Sequence, residues 1–368
     1  MGRTTQVRVS LYKGVLPQMA TISSFANDKG TITIKWKHQA DANSYKVFRQ
    51  TQTDKGYTEW KQIGTTKDNV FVDSGFKKDT TVKYLVHSVN AKGTSKYNKA
   101  KVKTTKYVKP IGSFEVYNSV NGMRIKFAAA EGTVDIYRRL KGANDWVLLG
   151  NVSGKEEYIW DPNAKTGKTY EYSAVRVMGK YRSARVSSKA VTFVASPEIK
   201  TIKNIVDGIN ITWSKVDGAE EYRIYRREPG QSKYKYIGTT KKLSYCDKTV
   251  KTKTGKTYKY IVRATCKGEI SGYREKELVR YQGAEITKVS NIKSGVQVKW
   301  GKVSKATEYQ VYRRTANGNK WILVGTTKAL SFVDKSAKKG VKYNYTVKAV
   351  FDKKVGPYDA IGTSIKRV

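Results

Sequence analysis

The chain has 368 residues and carries 72 Lys and Arg against 30 Asp and Glu, a formal net charge of +42. With 39% hydrophobic and 11% aromatic residues it can build packed cores and is not a disordered basic tail; its length allows about two to four domains. No stretch approaches the ~18 apolar residues of a transmembrane helix, and two cysteines exclude a multi-disulfide framework or a four-thiolate zinc site.

Residues 1–18 read as an extended arm. Met1–Leu16 has no apolar core and no small-residue cleavage site, so no secretory leader is expected. Thr5–Val15 alternates (TQVRVSLYKGV) and is expected to add a strand to a sheet of a neighbouring subunit.

From residue 19 onward the chain repeats itself at a spacing of about 87 residues. The first block is Ile32–Trp36 (ITIKW), then Met123–Phe127 (MRIKF), Ile209–Trp213 (INITW) and Val296–Trp300 (VQVKW). The next is Tyr45–Arg49, Val134–Arg139, Tyr222–Arg227 and Tyr309–Arg314, reading near Y-x-V-Y-R-R. A hydrophobic strand ending in a glycine turn follows at Trp60–Thr66, Trp146–Val152, Tyr234–Thr240 and Trp321–Thr327. Then come short segments ending in Asp73, Asp161, Asp247 and Asp334, and a last strand at Thr80–Val86, Gly167–Tyr172, Gly255–Val262 and Gly340–Val347. The alternation has period 2 with turns every ~8–12 residues, which predicts antiparallel sandwiches, one face of each sheet buried and the other wet. The expected repeats are 19–108, 109–194, 195–281 and 282–368. Their short joints near Val108, Val194 and Tyr281 predict a semi-rigid row.

This order of blocks resembles tandem fibronectin type III repeats, an all-β immunoglobulin-like sandwich, of the kind found in bacterial surface proteins and phage virion proteins. The resemblance implies that Trp36, Trp213 and Trp300 sit in cores and that Tyr170, Tyr258 and Tyr343 form the tyrosine corner. The first repeat departs with Val82 at that corner. The second departs with Phe127 for Trp and an irregular strand at Ala174–Met178, where a bulge is expected. No Arg-Gly-Asp tripeptide occurs, so the resemblance adds nothing toward integrin binding.

No catalytic constellation is legible. His38 and His87 lie only in the first repeat, and no metal-ligand or phosphate-loop motif is present, so no enzyme activity, metal or cofactor is expected. Asp73, Asp161, Asp247 and Asp334 read as turn residues accepting backbone N–H bonds. Cys246 and Cys266 occupy apolar slots of the third repeat, as free thiols or as an inter-sheet bridge.

The Y-x-V-Y-R-R block offers a candidate binding face. Its alternation turns Phe48, Tyr137, Arg139, Arg223, Tyr225, Arg227, Tyr312 and Arg314 away from the core. Aromatics among cations can stack on sugars or bases or hold phosphates; they can equally be cross-strand packing under Lys and Arg stems. The positive charge runs along the whole chain rather than in one module, and such a one-sign field predicts a polyanionic partner. A phage virion component (decoration, fibre or tail-associated) meeting a capsid, a tail or a host envelope is one expectation. A bacterial cell-surface or secreted adhesin segment on teichoic acid or glycan is the alternative, and a non-specific nucleic-acid binder the third. The last would show steep salt dependence, since no recognition helix or RNA-binding signature is present.

Overall fold

A computed structural model of the chain describes residues 14–352 and 354–368. The arm segment Thr5–Val15 lies, but for its last two residues, outside them. Gly14–Gln18 form no strand, and the Val15 carbonyl accepts a hydrogen bond from Asn90 Nδ2 at 3.0 Å.

The described residues form eight sheets, four of three strands and four of five or six. In the third repeat the small sheet orders Ile199–Ile205, Gly208–Trp213 and Ser244–Asp247. The larger sheet orders Lys235–Thr240, Glu221–Arg227 and Thr257–Cys266, with Glu269–Ile270 and Lys276–Val279 both pairing to the outer edge of Thr257–Cys266. The same central pairing joins Ser44–Thr53 to Thr80–Asn90, Thr133–Leu140 to Thr169–Met178, and Glu308–Thr315 to Lys342–Phe351.

Alternation decides which face is buried. In Thr31–Trp36 the side chains of Ile32, Ile34 and Trp36 are buried while Lys35 is exposed. Trp213, Ile209 and Ile211 of one sheet then meet Tyr222, Ile224, Tyr258 and Tyr260 of the other in one core. The first and fourth repeats build matching cores around Trp36 and Trp300. These rings stand edge-on or tilted to a tyrosine of the facing sheet: Trp36–Tyr45 at 5.3 Å, Trp213–Tyr222 at 5.5 Å and Trp300–Tyr309 at 5.4 Å. Each of these tyrosine oxygens accepts a backbone N–H, from Gln39, Val216 and Val303. The second repeat has Phe127 and Val134 instead, so both partners change together.

The compact units of the described chain are two. One holds the residues up to Tyr117 with Arg124–Asp161 and Tyr170–Val191; the other holds Asn118–Met123, Pro162–Thr169 and Thr192–Val368. Within the first unit, Arg176 of the second repeat bonds Asp79 of the first through both terminal nitrogens, at 2.9 and 2.8 Å. Within the second, Tyr281 packs on Phe351 at 5.2 Å.

Two local expectations change. Gly64, Gly238 and Gly325 do not make turns; they lie inside strands, each next to a register shift opposite Val47/Phe48, Ile224/Tyr225 and Val311/Tyr312. A β-carbon on Gly64 or Gly325 would run into the ring of Phe71 or Phe332, and one on Gly238 would lie 2.7 Å from Tyr245 Oη. The glycine therefore serves close approach of an aromatic ring, and the bulge turns Ile63, Ile237 and Val324 onto the cores.

The bulge expected at Ala174–Met178 is also absent: Thr169–Met178 pairs with Thr133–Leu140 in unbroken register from Thr133↔Val177 to Leu140↔Tyr170. Its alternation is obscured because Ser173 and Val175, on the outer face, are buried as well. Arg185 reaches over this strand and donates to Ser173 Oγ at 2.5 Å.

Candidate functional site

The second Arg of the Y-x-V-Y-R-R block faces outward, so the first must face inward. That residue is Arg49, Arg138, Arg226 or Arg313. Each meets the recurring aspartate across the sandwich: Arg49–Asp73 at 2.8 Å, Arg138–Asp161 at 2.7 Å, Arg226–Asp247 at 2.6 Å and Arg313–Asp334 at 2.6 Å. A tyrosine from the long strand donates its hydroxyl to the same carboxylate: Tyr84, Tyr172, Tyr260 or Tyr345. The aspartates are almost fully buried. They are thus ionic cross-links between the two sheets, not chiefly turn residues. Backbone N–H donors do reach Asp247 and Asp334, from Thr249 and Ser336, at the other oxygen. Burial, and then Asp161 through its hydrogen bond, raise the Tyr172 pKa; burial and the facing aspartate act likewise at Tyr84, Tyr260 and Tyr345.

The outer side of the inward guanidinium lies on an aromatic ring. Arg138 stands over Tyr170 at 5.0 Å, Arg226 over Tyr258 at 5.4 Å and Arg313 over Tyr343 at 4.5 Å. In the first repeat, where Val82 replaces the tyrosine, Phe76 takes the place under Arg49 at 5.5 Å. The corner hydroxyl of Tyr343 accepts the Lys338 N–H at 3.3 Å.

On the outward face of the larger sheets the predicted aromatics Phe48, Tyr137, Tyr225 and Tyr312 are half-buried. The predicted cations beside them are already partnered. Arg139 bonds Glu171 at 2.6 Å, Arg223 bonds Glu221 at 3.0 Å, and Arg227 bonds Glu275 at 2.9 Å. Arg314 donates to the carbonyls of Gly318 and Ile361. Rings cover their other sides: Trp146 for Arg139 at 4.4 Å, Tyr234 for Arg227 at 5.2 Å and Trp321 for Arg314 at 4.9 Å.

Three further cations on or beside these faces have no carboxylate partner among the described residues. Arg185 stands 4.3 Å over Tyr137 and 5.0 Å over Trp146. Arg263 lies 5.6 Å over Tyr273 and opposite Arg223, next to Tyr225. Lys348 lies between Tyr312 at 4.5 Å and Tyr358 at 4.4 Å. Burial lowers the pKa of all three, because each has lost water without gaining a carboxylate; Arg185 donates only to Ser173 Oγ and Arg263 only to the Ser271 carbonyl. Their positions, on the long strand (Arg263, Lys348) or between the short edge strands after it (Arg185), are remote in sequence from the Y-x-V-Y-R-R block, so the block alone could not reveal them. In the first repeat His87 holds the equivalent place, edge-on to Phe48 at 5.6 Å and hydrogen-bonded to Ser95 Oγ; burial lowers its pKa and favours the neutral ring.

His38 touches Tyr45 Oη at 3.4 Å. Both cysteines are free, Cys266 in the core and Cys246 half-buried. Among the described residues no group of three His, Cys, Asp or Glu side chains converges as a metal site would require.

A three-stranded sheet facing a larger sheet and the same central strand pairing in each repeat are now in place, with a core Trp against a tyrosine of the facing sheet in the first, third and fourth. The repeats are fibronectin type III-like sandwiches in tandem. No family model and no curated protein matches the chain. Among solved structures it is similar to the FN1-FN3 domains of chicken CNTN1, at 14% identity over 70% of this chain and 99% of that one, with a TM-score of 0.24. It is also similar to a segment of two fibronectin type III domains from chicken tenascin, at 13% identity over 48% of this chain and 98% of that one, TM-score 0.26.

Proposed function

We propose that the chain is a non-enzymatic structural or adhesive protein whose outward sheet faces bind an extended polyanionic surface. The observation that supports this reading most is the set Arg185, Arg263 and Lys348: half-desolvated cations on aromatic rings with no carboxylate partner among the described residues. Such a cation gains more from an arriving anion than a fully hydrated lysine does, since it has less water to lose. The net charge of +42 supplies the long-range attraction. The repetition of the motif suits a partner that is itself repetitive: a capsid or tail surface, a host envelope, or a cell-wall glycopolymer. Within this reading the chain is a phage virion component, and a cell-surface or secreted adhesin segment is the second assignment.

The test is elution from immobilised polyphosphate in a salt gradient. A variant with Arg185→Gln, Arg263→Gln and Lys348→Gln should elute at clearly lower salt than one with Lys61→Gln, Lys141→Gln and Lys335→Gln, which loses the same charge from exposed sites. Equal elution of the two would show that only net charge matters and would remove the site. Presence of the chain in purified particles, against its presence on intact cells, separates the virion from the surface assignment.

A further inference from the structure

The second repeat carries one feature that its neighbours lack. On the outer face of its small sheet, Arg124 of the strand Gly122–Phe127 is surrounded by three rings from the flanking strands Phe114–Ser119 and Tyr158–Asp161. Its guanidinium carbon lies 3.9 Å from the ring centre of Tyr158, 5.3 Å from that of Trp160 and 5.9 Å from that of Tyr117. The rings remain open to solvent: Tyr117 is 38%, Tyr158 39% and Trp160 36% exposed.

In the third and fourth repeats the row across this face is Lys203–Asn210–Cys246 and Ser290–Gln297–Val333. A solvated sheet face therefore does not need this aromatic cluster for folding. Large exposed rings gathered at one place mark a contact surface.

The charge at its centre is unpaired. Arg124 has no ion pair among the described residues, and its Nε is buried with no hydrogen-bond partner. The terminal nitrogens are left to donate outward, in the fork geometry that suits a carboxylate or a phosphate.

We infer that this cluster is a binding site for an acidic saccharide, with a pyranose ring on Trp160 and Tyr117 and its carboxylate or phosphate on Arg124. The apolar C–H face of a sugar packs on an aromatic ring, and the charged substituent explains why the rings surround a free guanidinium. The arrangement disfavours stacked bases. Trp160 and Tyr158 meet at 70°, so they offer no parallel platforms for successive nucleotides. The site lies on the small sheet, away from Arg185 on the larger one, and does not depend on the polyanion reading.

The experiment is affinity electrophoresis of the full chain in gels containing oligogalacturonate, phosphorylated mannan, neutral mannan or polythymidylate. The native chain should be retarded by one or both acidic saccharides more than by neutral mannan, and the one that retards it more identifies the acid group. Trp160→Ala and Arg124→Gln should each weaken that retention about tenfold, as expected for one lost ring or one lost fork, while elution from polyphosphate in the salt gradient stays unchanged for Trp160→Ala. Trp160 is exposed and Arg124 half-buried on the outer face of the sheet, outside the core, so the melting temperature should hold within a few degrees. Equal retardation by neutral mannan, acidic-saccharide retention that survives both substitutions, or Trp160-dependent binding of polythymidylate alone would each overturn the inference.

Discussion

Arg313 and Asp334 lie 2.6 Å apart across the fourth sandwich, with side chains 15% and 2% exposed. The pair recurs in every repeat, and in each a tyrosine hydroxyl completes it. A buried pair of this kind stabilises little relative to apolar packing, but breaking it strands a charge, at about 3–5 kcal/mol. Arg313→Met should therefore lower the melting of one sandwich by on the order of 10 °C or more. Scanning calorimetry would resolve this as one shifted component; a shift of all components, or of none, would contradict it.

The pH dependence should be two-sided. Tyr84, Tyr172, Tyr260 and Tyr345 have raised pKa values, from burial first and the aspartate next. A raised folded pKa gives stability that is complete below the unfolded value near ~10 and lost above it. Asp334 is lowered: burial pushes it up, but hydrogen bonds from Ser336, Tyr345 and Arg313 together outweigh that. Its contribution is complete above ~3.9 and lost as pH falls. Melting temperature against pH should be flat between, with tyrosinate absorbance rising only as the fold opens. Smooth tyrosine titration before unfolding would refute the alkaline half.

Tyr309→Phe keeps the ring on Trp300 and removes only the acceptor of the Val303 N–H, now 2.9 Å away. That leaves a buried donor unpaired, at about 1–3 kcal/mol. The second repeat, with Val134 at this place, has no such bond to lose. Denaturation with Tyr309→Leu alongside would separate hydrogen bond from ring.

Glycine substitution should discriminate between repeats. Gly325→Ala places a methyl group in the Phe332 ring and should cost about 1–3 kcal/mol. Gly150→Ala meets nothing within 4 Å and should be close to neutral. Equal effects of the two would mean that the bulge, not the ring, demands glycine.

Much of the fold was legible because buried sheet faces leave a period-2 trace, and repetition shows that trace several times. Trp36, Trp213 and Trp300 stood out for that reason. The candidate face was only half legible. Alternation told which residues of one strand look outward, and Tyr137, Tyr225 and Tyr312 do. It could not tell that Glu171, Glu221 and Glu275 neutralise the neighbouring arginines, because those acids sit on the same strand, on another strand or in a loop, at no fixed spacing. The inward Arg was missed for a simpler reason: a guanidinium in a core position reads as an error until its aspartate and tyrosine are seen with it.

The sequence by itself determined that this protein is a series of similar β-sandwiches with a large one-sign charge, since period, repetition and net charge are properties of the chain alone. Which charges are free is a property of distance. Only the tertiary structure decided that Asp73, Asp161, Asp247 and Asp334 are consumed inside the sandwiches, that the arginines of the outward block are held by acids or carbonyls, and that Arg185, Arg263, Lys348 and Arg124 are left on aromatic rings. A hydrogen-bonded ion pair needs its charged atoms within about 4 Å, and only folding brings strands far apart in sequence that close.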